Sequence, residues 1–486
     1  MAVTLYLYED RFHYELENIM RMFFWRPEIR AGVPEDGADC FCSASAIEEG
    51  QELMLAVRFK DGETDISLQD SRPSGSADKE LEHALAVMMY KVLSEATGKK
   101  PPFGIMTGIR PAKYMADLME RGMSAQEAER HFTEDSLVDP GKASLCRMTA
   151  EAGLAMRKAC RPDGFSLYIS IPFCPSRCSY CSFVSKSVER DRSMTDEYVD
   201  ALIKELEYTR VITGDLGLVM QTVYIGGGTP TVLDAAQLRK LTDAVARIYG
   251  RPSEGEYSVE AGRPDTITEE KLMVLRDAGV TRISINPQTA NDEVLRAVGR
   301  RHTAADIERC YELARRLGFD DINADLIAGL PGDDLESFGR SVRWAADTLE
   351  AENITVHALT LKRASFLRET ESEIFSPDAS DMVDLAQREL IARGYMPYYM
   401  YRQKGTVDSL ENTGYAKPGT ECLYNLFIMD ELQSIIACGA GAVTKLKNNE
   451  TGLINRISDL KYPQEYLSRF DEMLERKDGI RAFYGR

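Results

Sequence analysis

Tyr168-Ile-Ser-Ile-Pro-Phe-Cys174-Pro-Ser-Arg-Cys178-Ser-Tyr-Cys181 sets three cysteines in a C-x3-C-x2-C pattern directly after an apolar, strand-like run. Three thiolates can hold three irons of a [4Fe–4S] cube and leave the fourth iron open, whereas clusters that only carry electrons normally take four cysteines. An open iron is a place for a ligand that will react. The competing readings are chance spacing of buried cysteines and structural zinc, which wants four closed ligands, usually as two closely spaced pairs. A fourth ligand is missing locally: Cys160 lies upstream, and the five histidines (His13, His83, His131, His302 and His357) are scattered without ligand spacing.

Downstream of the cysteines, apolar strand-like segments alternate with amphipathic helical ones. Strands are expected at Ser166–Ile171, Thr222–Ile225, Glu256–Glu260, Arg282–Asn286, Ile322–Ala328 and Ile354–Leu361. Helices are expected between them at Asp196–Val211, Ala235–Ile248, Glu269–Ala278, Ala304–Leu317 and Leu335–Leu349. Six βα units at this spacing imply a parallel, curved sheet with helices outside, an α/β partial barrel of TIM-like type. Such folds keep their chemistry at the C-terminal ends of the strands.

Polar residues mark those ends. Gly226-Gly227-Gly228-Thr229-Pro230 follows the second strand; glycines let a backbone approach a ligand closely, though a tight turn needing positive φ would explain them as well. Glu260 ends the third strand, where it would accept from an ammonium or ribose hydroxyl, or cap the next helix. Gln288 ends the fourth strand, Arg300 opens the run Arg-Arg-His, and Asp325 lies inside Ile-Asn-Ala-Asp-Leu-Ile-Ala-Gly-Leu-Pro. An ionisable group within an apolar strand is costly unless paired. Arg300 is the expected partner, either of Asp325 or of a ligand carboxylate.

A chain of 486 residues predicts two or three domains. Residues 1–160 read as an α+β accessory domain, 165–365 as the partial barrel and 366–486 as a helical and short-stranded cap. In the first section a helix is expected at Arg11–Phe24 and alternating strands at Cys40–Ala46 and Leu53–Leu68. A loop is expected at Asp70–Asp78, then helices at Asp78–Ala96, Ala112–Arg121 and Gly141–Ala159. The formal charge is −19 with no Lys/Arg block, which argues against a nucleic-acid partner. No apolar run is long enough to span a bilayer, and the N-terminal residues lack the form of a signal peptide, so a cytoplasmic protein is expected. A reducing compartment also suits ten sparse cysteines and an oxygen-sensitive cluster.

The cysteine spacing at the end of a first strand resembles the radical S-adenosylmethionine (SAM) superfamily. There the open iron is chelated by the amino and carboxylate groups of SAM, and the reduced cluster splits SAM to methionine and a 5′-deoxyadenosyl radical. The full order of motifs is more specific. Tyr-x-x-x-Pro-Phe-Cys, Gly-Gly-Gly-Thr-Pro, Glu, Gln, Arg and Asp-Leu-Ile-x-Gly-Leu-Pro resemble the oxygen-independent coproporphyrinogen III oxidase family, including its heme-chaperone branch, over about residues 165–445. The resemblance is nearest to the HemZ-type coproporphyrinogen dehydrogenase branch. It is carried by Met106-Thr-Gly-Ile-Arg-Pro111, Val356-His-Ala-Leu-Thr-Leu-Lys-Arg363, Tyr399-Met-Tyr-Arg-Gln-Lys404 and Glu411-Asn-Thr-Gly-Tyr-Ala-Lys-Pro418.

The resemblance implies a radical SAM barrel holding a [4Fe–4S] cluster on Cys174, Cys178 and Cys181. It also implies one or two SAM molecules contacted by Tyr168, Tyr180, Gly227, Gly228, Thr229, Glu260, Gln288, Arg300, Asp325 and, more loosely, Val443. The implied reaction converts propionates of coproporphyrinogen III to vinyl groups, giving protoporphyrinogen IX, with electrons from a low-potential donor such as a flavodoxin or ferredoxin. A substrate with four propionates needs cations at the cavity rim. Lys362, Arg363 and Arg402, with Lys404 beside them, are expected to supply them. Two departures keep a heme carrier, or another tetrapyrrole as substrate, open. Ser170 stands where the best-known members have His, and Phe183 where they have a fourth cysteine.

Overall fold

The structure is a computed structural model that describes residues 3–8, 10–24, 27–34, 38–181, 186–187, 193–252, 255–359, 378–403 and 410–485. The chain divides into two compact units, one of residues Met1–Arg147 with Asp408–Leu410, the other of Met148–Val407 with Glu411–Arg486.

The first unit carries a five-stranded sheet in the order Glu28–Ala31, Thr4–Leu7, Cys40–Glu49, Glu52–Asp61, Thr64–Pro73. Alternation decides its faces. Leu53, Leu55, Val57 and Phe59 are buried, and they join Leu16 and Ile19 of helix His13–Phe23 and Leu81, Leu85 and Met89 of helix Asp78–Thr97 in one core. The expected strand over 53–68 is in fact a hairpin turning at Gly62, whose φ of +57° suits a residue without Cβ. Its second strand runs on through Asp70–Pro73, expected as loop, because ladder pairs Leu55↔Asp70 and Leu53↔Arg72 carry the pairing into a polar stretch.

The second unit is built on one eleven-stranded sheet. Its strands are β1 (Gly164–Ile171), β2 (Val219–Gly227), β3 (Tyr257–Gly262), β4 (Arg282–Ile285), β5 (Ile322–Ala328), β6 (Asn353–Ala358), β7 (Met396–Arg402), β8 (Glu411–Ala416), β9 (Ser434–Cys438), β10 (Val443–Lys447) and β11 (Ile454–Ser458). The order is β7-β8-β6-β5-β4-β3-β2-β1-β9-β10-β11. Strands β1 to β6 pair parallel in sequence order, as the six βα units require. From β3 to β6 they are buried along almost their whole length, as strands covered on both faces are. Helices Ser193–Asp215, Ala235–Tyr249, Glu269–Asp277, Ala304–Arg316 and Leu335–Arg343 alternate with them. Side-chain caps fix the starts of the last four: Thr268 and Asp334 accept from the first turn, and Asp234 and Thr303 form reciprocal capping boxes with Gln237 and Asp306.

Residues expected as a separate cap extend this same sheet at both edges. β8 pairs antiparallel with β6, and β9 pairs parallel with β1. A buried charged triad anchors the C-terminal helix Phe470–Phe483 beside β9: Lys477 Nζ lies 2.9 Å from Glu205 and 2.8 Å from Asp459, all with side chains 0% exposed. Among the described residues no helix is long and apolar enough to cross a membrane.

Candidate functional site

A cavity of about 390 Å³ opens at the C-terminal ends of the parallel strands. Cys174, Cys178 and Cys181 line one side of it, and so do Tyr168, Tyr180, Gly227, Gly228, Thr229, Glu260, Gln288, Arg300 and Asp325. Sequence positions spread over nearly 160 residues thus meet in one place, because each sits at the end of a different parallel strand or in the loop behind it.

The glycine turn holds the cysteine loop. Gly228 N–H donates to Ile171 O at 2.8 Å and Thr229 N–H to Phe173 O at 2.7 Å. A Cβ on Gly228 would stand 2.4 Å from Phe173 O, a backbone atom that cannot step aside, so the close approach demands glycine. Gly227, at φ +110°, directs its N–H to Glu260. These donors are used within the protein. A ligand at this turn therefore meets oxygen acceptors, which suits an ammonium. Thr229 Oγ1 lies 3.6 Å from Cys174 Sγ.

Two carboxylates line the same cavity. Burial pushes Glu260 up to about 7, and Asp325 adds to this, while the Tyr224 hydroxyl donating at 2.7 Å opposes it. Burial would also raise Asp325, but His357, whose Nε2 is 3.8 Å away, Asn323, donating at 2.8 Å, and the Arg300 charge outweigh it and hold Asp325 below its ordinary value. The expected direct pair of Arg300 with Asp325 does not form. Arg300 instead donates to Tyr180 OH at 3.2 Å and to Asn286 O at 2.8 Å, which leaves Asp325 to Asn323 and His357. Gln288 is held in the left-handed region at φ +71° by two bonds to β5, Gln288 N to Asp325 O and Ile327 N to Gln288 O. Backbone strain at a non-glycine residue concentrates at functional sites.

Glu260 makes a pH prediction. A carboxyl whose folded pKa stands at about 7, above the ordinary 4.5, stabilises the fold fully at low pH and loses that contribution as pH rises through about 7. Glu260→Gln should therefore gain stability over the parent across this window, read as denaturation midpoints of SAM-free protein at pH 4.5 and 8. An unchanged difference between the two pH values would mean that Glu260 ionises freely.

Other expected residues fall elsewhere. Val443 begins β10, is 42% exposed and does not line the cavity. Arg402 is buried, across the ladder from Glu411, and does not line the cavity, which β7 reaches instead with Tyr398, Tyr399 and Tyr401. The propionate role expected of Arg402 therefore has no support from its placement. Lys362, Arg363, Lys404 and Phe183 lie outside the described residues. Ser170 donates to Ala440 O at 2.9 Å and is not on the cavity wall. Sequence reasoning missed Asn323, His357 and Tyr224. The signal was there for one of them: Asn323 stands two residues from Asp325 on β5, hence on the same face.

The residues fit the implied cofactors. Among the described residues no three His, Cys, Asp or Glu side chains come together as a single metal ion would need. Three thiols lining one cavity suit a multi-iron group, which takes one thiolate at each of three irons. Cys422 is the fourth cysteine on the cavity, but its thiol donates to Glu256 at 3.0 Å. Glu256 belongs to a buried group with Arg282 and Asp321 at the N-terminal ends of β3 to β5. Glu260 and Asp325 offer charge to an ammonium or ribose hydroxyls, and Arg300 offers it to a carboxylate.

Comparison with known proteins bears on the same residues. The radical SAM superfamily matches residues 168–345. The chain is 34% identical over 483 residues to an oxygen-independent coproporphyrinogen-III oxidase-like protein, HemZ, of Bacillus subtilis, covering 97% of this chain and 96% of that one. It is 35% identical to the heme chaperone HemW of the same organism, over 57% of this chain and 70% of that one. Among solved structures, coproporphyrinogen III oxidase (HemN) from Escherichia coli, a radical SAM enzyme, superposes with a TM-score of 0.50 at 25% identity, covering 67% of this chain and 73% of that one.

Proposed function

The chain belongs to the radical SAM superfamily, as a HemZ-type oxygen-independent coproporphyrinogen-III oxidase-like protein, and on that premise we propose that it converts propionate side chains of coproporphyrinogen III to vinyl groups. The observation that carries the reading is the meeting of the three cysteines with nine expected SAM contacts on one cavity wall. A [4Fe–4S] cluster with one open iron would supply the electron that splits SAM and starts radical chemistry. The chain's own residues do the rest. The glycine turn and Glu260 take the ammonium, Arg300 takes the carboxylate of SAM, and Asp325, oriented by Asn323 and His357, takes ribose hydroxyls. Each propionate would then give one β-hydrogen atom to the 5′-deoxyadenosyl radical and release CO2 and one electron, the electron passing to an external one-electron acceptor.

Arg300→Ala and Asp325→Asn should keep the iron and lose SAM cleavage. Each removes a charge from a desolvated contact worth about 2–5 kcal/mol, so 5′-deoxyadenosine formation should fall about 30-fold or more. The deciding assay is anaerobic, with SAM, a strong reductant and coproporphyrinogen III, scored for 5′-deoxyadenosine and for vinyl porphyrin. Deoxyadenosine without vinyl product would exclude this substrate.

A second reading is a heme carrier that retains the cluster. Relatives named heme chaperones favour it, and so does the engagement of three wall arginines with protein groups. Arg263 binds Asp265, Arg282 binds Glu256 and Asp321, and Arg300 binds Tyr180 and Asn286. Tight heme binding with no vinyl product would select it.

A further inference from the structure

Arg263 follows the turn at Gly262 that ends β3, three residues beyond Glu260. The turn swings it back toward the cysteine loop. Its side chain is only 4% exposed. Asp265 grips it with two parallel bonds, Nε to Oδ1 at 2.9 Å and Nη2 to Oδ2 at 2.7 Å. The remaining nitrogen, Nη1, donates to Ser176 Oγ at 2.9 Å and Ser176 O at 3.2 Å, and stands 4.0 Å from Cys178 Sγ. A guanidinium is planar, always charged and locked here at both ends, so its charge is fixed against the middle thiol. The same charge bears on a neighbouring ring. His302 is buried with both ring nitrogens lacking partners among the described residues, and burial, then Arg300 and Arg263, push it down to about 4.

Resting on the cluster reading above, we propose that Arg263 is a positioning residue that fixes the loop around Cys178 and sets the electron affinity of the cluster the three thiolates hold. Hydrogen bonds and positive charge at the sulfurs of such a cluster stabilise its reduced state and raise its potential. A protein that must deliver an electron to a bound ligand needs that potential set, and a buried arginine held by a short ion pair sets it without moving. Ordinary surface arginines contribute little of this kind, because solvent screens them.

The test uses the full-length protein, reconstituted anaerobically with iron and sulfide and titrated with a chemical reductant, the midpoint being read from the visible absorption and the electron paramagnetic resonance of the reduced state. Arg263→Gln should retain iron and shift the midpoint down, so that the ratio of reduced to oxidised cluster at a fixed potential falls about tenfold, 59 mV for a one-electron couple. Asp265→Asn removes the opposing charge and should shift the midpoint up. A merely structural role would not give shifts of opposite sign. Equal midpoints, or both variants moving the same way, overturn the proposal while leaving the cluster reading intact. If Arg263→Gln takes up no cluster, the Asp265→Asn shift decides alone: a rise supports the proposal and no rise overturns it. A parent that takes up no cluster overturns the cluster reading, and this proposal with it.

Discussion

Each of Cys174→Ala, Cys178→Ala and Cys181→Ala is expected to purify without a [4Fe–4S] cluster, while the parent, isolated without oxygen, carries about four irons per chain. The effect should be complete, because on the proposed reading three thiolates are the whole protein ligand set and none is redundant. No other cysteine is placed to substitute: Cys422, the further one on the cavity wall, donates its thiol to Glu256 at 3.0 Å. Cys422→Ala is therefore the matched control and should keep its iron. Iron and sulfide analysis with the visible spectrum measures all four variants. A full cluster in all three motif variants, or tight stoichiometric zinc in the parent, would end the radical SAM reading of this cavity. Loss of iron removes SAM cleavage too, so 5′-deoxyadenosine should drop to the background of protein-free controls.

The site was more legible than the frame around it, and the reason is locality. The cysteine loop and the glycine turn each lie within a few consecutive residues. Their apposition follows once strands β1 and β2 are parallel neighbours, since both then end at the same edge. Edge strands β7 to β11 were not legible as parts of the sheet, because what makes them strands is partners far off in sequence. β9 pairs with β1 more than 260 residues earlier, Ile435 against Ser166. Arg402 was misplaced for the same cause. Once β7 is a strand, its pairing with β8, bulged between Pro397 and Tyr399, decides which side chains reach the cavity: Tyr398, Tyr399 and Tyr401 do and Arg402 does not. Arg263 gave no signal at all, because a lone arginine after a Gly is indistinguishable from a solvated one until Asp265 and the cysteine loop are seen to close over it.

The other large expected effect lies away from the cavity, in the buried triad. Lys477 is wholly buried; burial alone would lower its pKa, but Glu205 and Asp459 outweigh this and hold it charged. Lys477→Met removes the one cation and leaves two carboxylates facing each other in a dry interior. Breaking a buried pair in this way costs about 3–5 kcal/mol, far more than losing a surface ion pair. The consequence should reach the cysteine strand through a continuous chain of bonds. Glu205 accepts from Gly439 N–H at 2.9 Å and from Tyr466 OH at 2.5 Å, Tyr198 OH donates to Ser170 O at 2.8 Å while accepting from Ala440 N–H at 2.8 Å, and Ser170 Oγ donates to Ala440 O at 2.9 Å. The triad thus steadies the Gly439–Ala440 turn against the last residues of β1, next to Phe173 and Cys174. Lys477→Met should lower the denaturant midpoint of the second unit markedly and reduce iron uptake during reconstitution. Lys477→Arg should fall between parent and Met, since the charge is kept but the larger, forked head does not fit a site with no exposed surface. Were the Met variant to unfold at the parent's denaturant concentration, the triad would be a passive feature of the interior, and the bracing of β1 would have to come from sheet pairing alone.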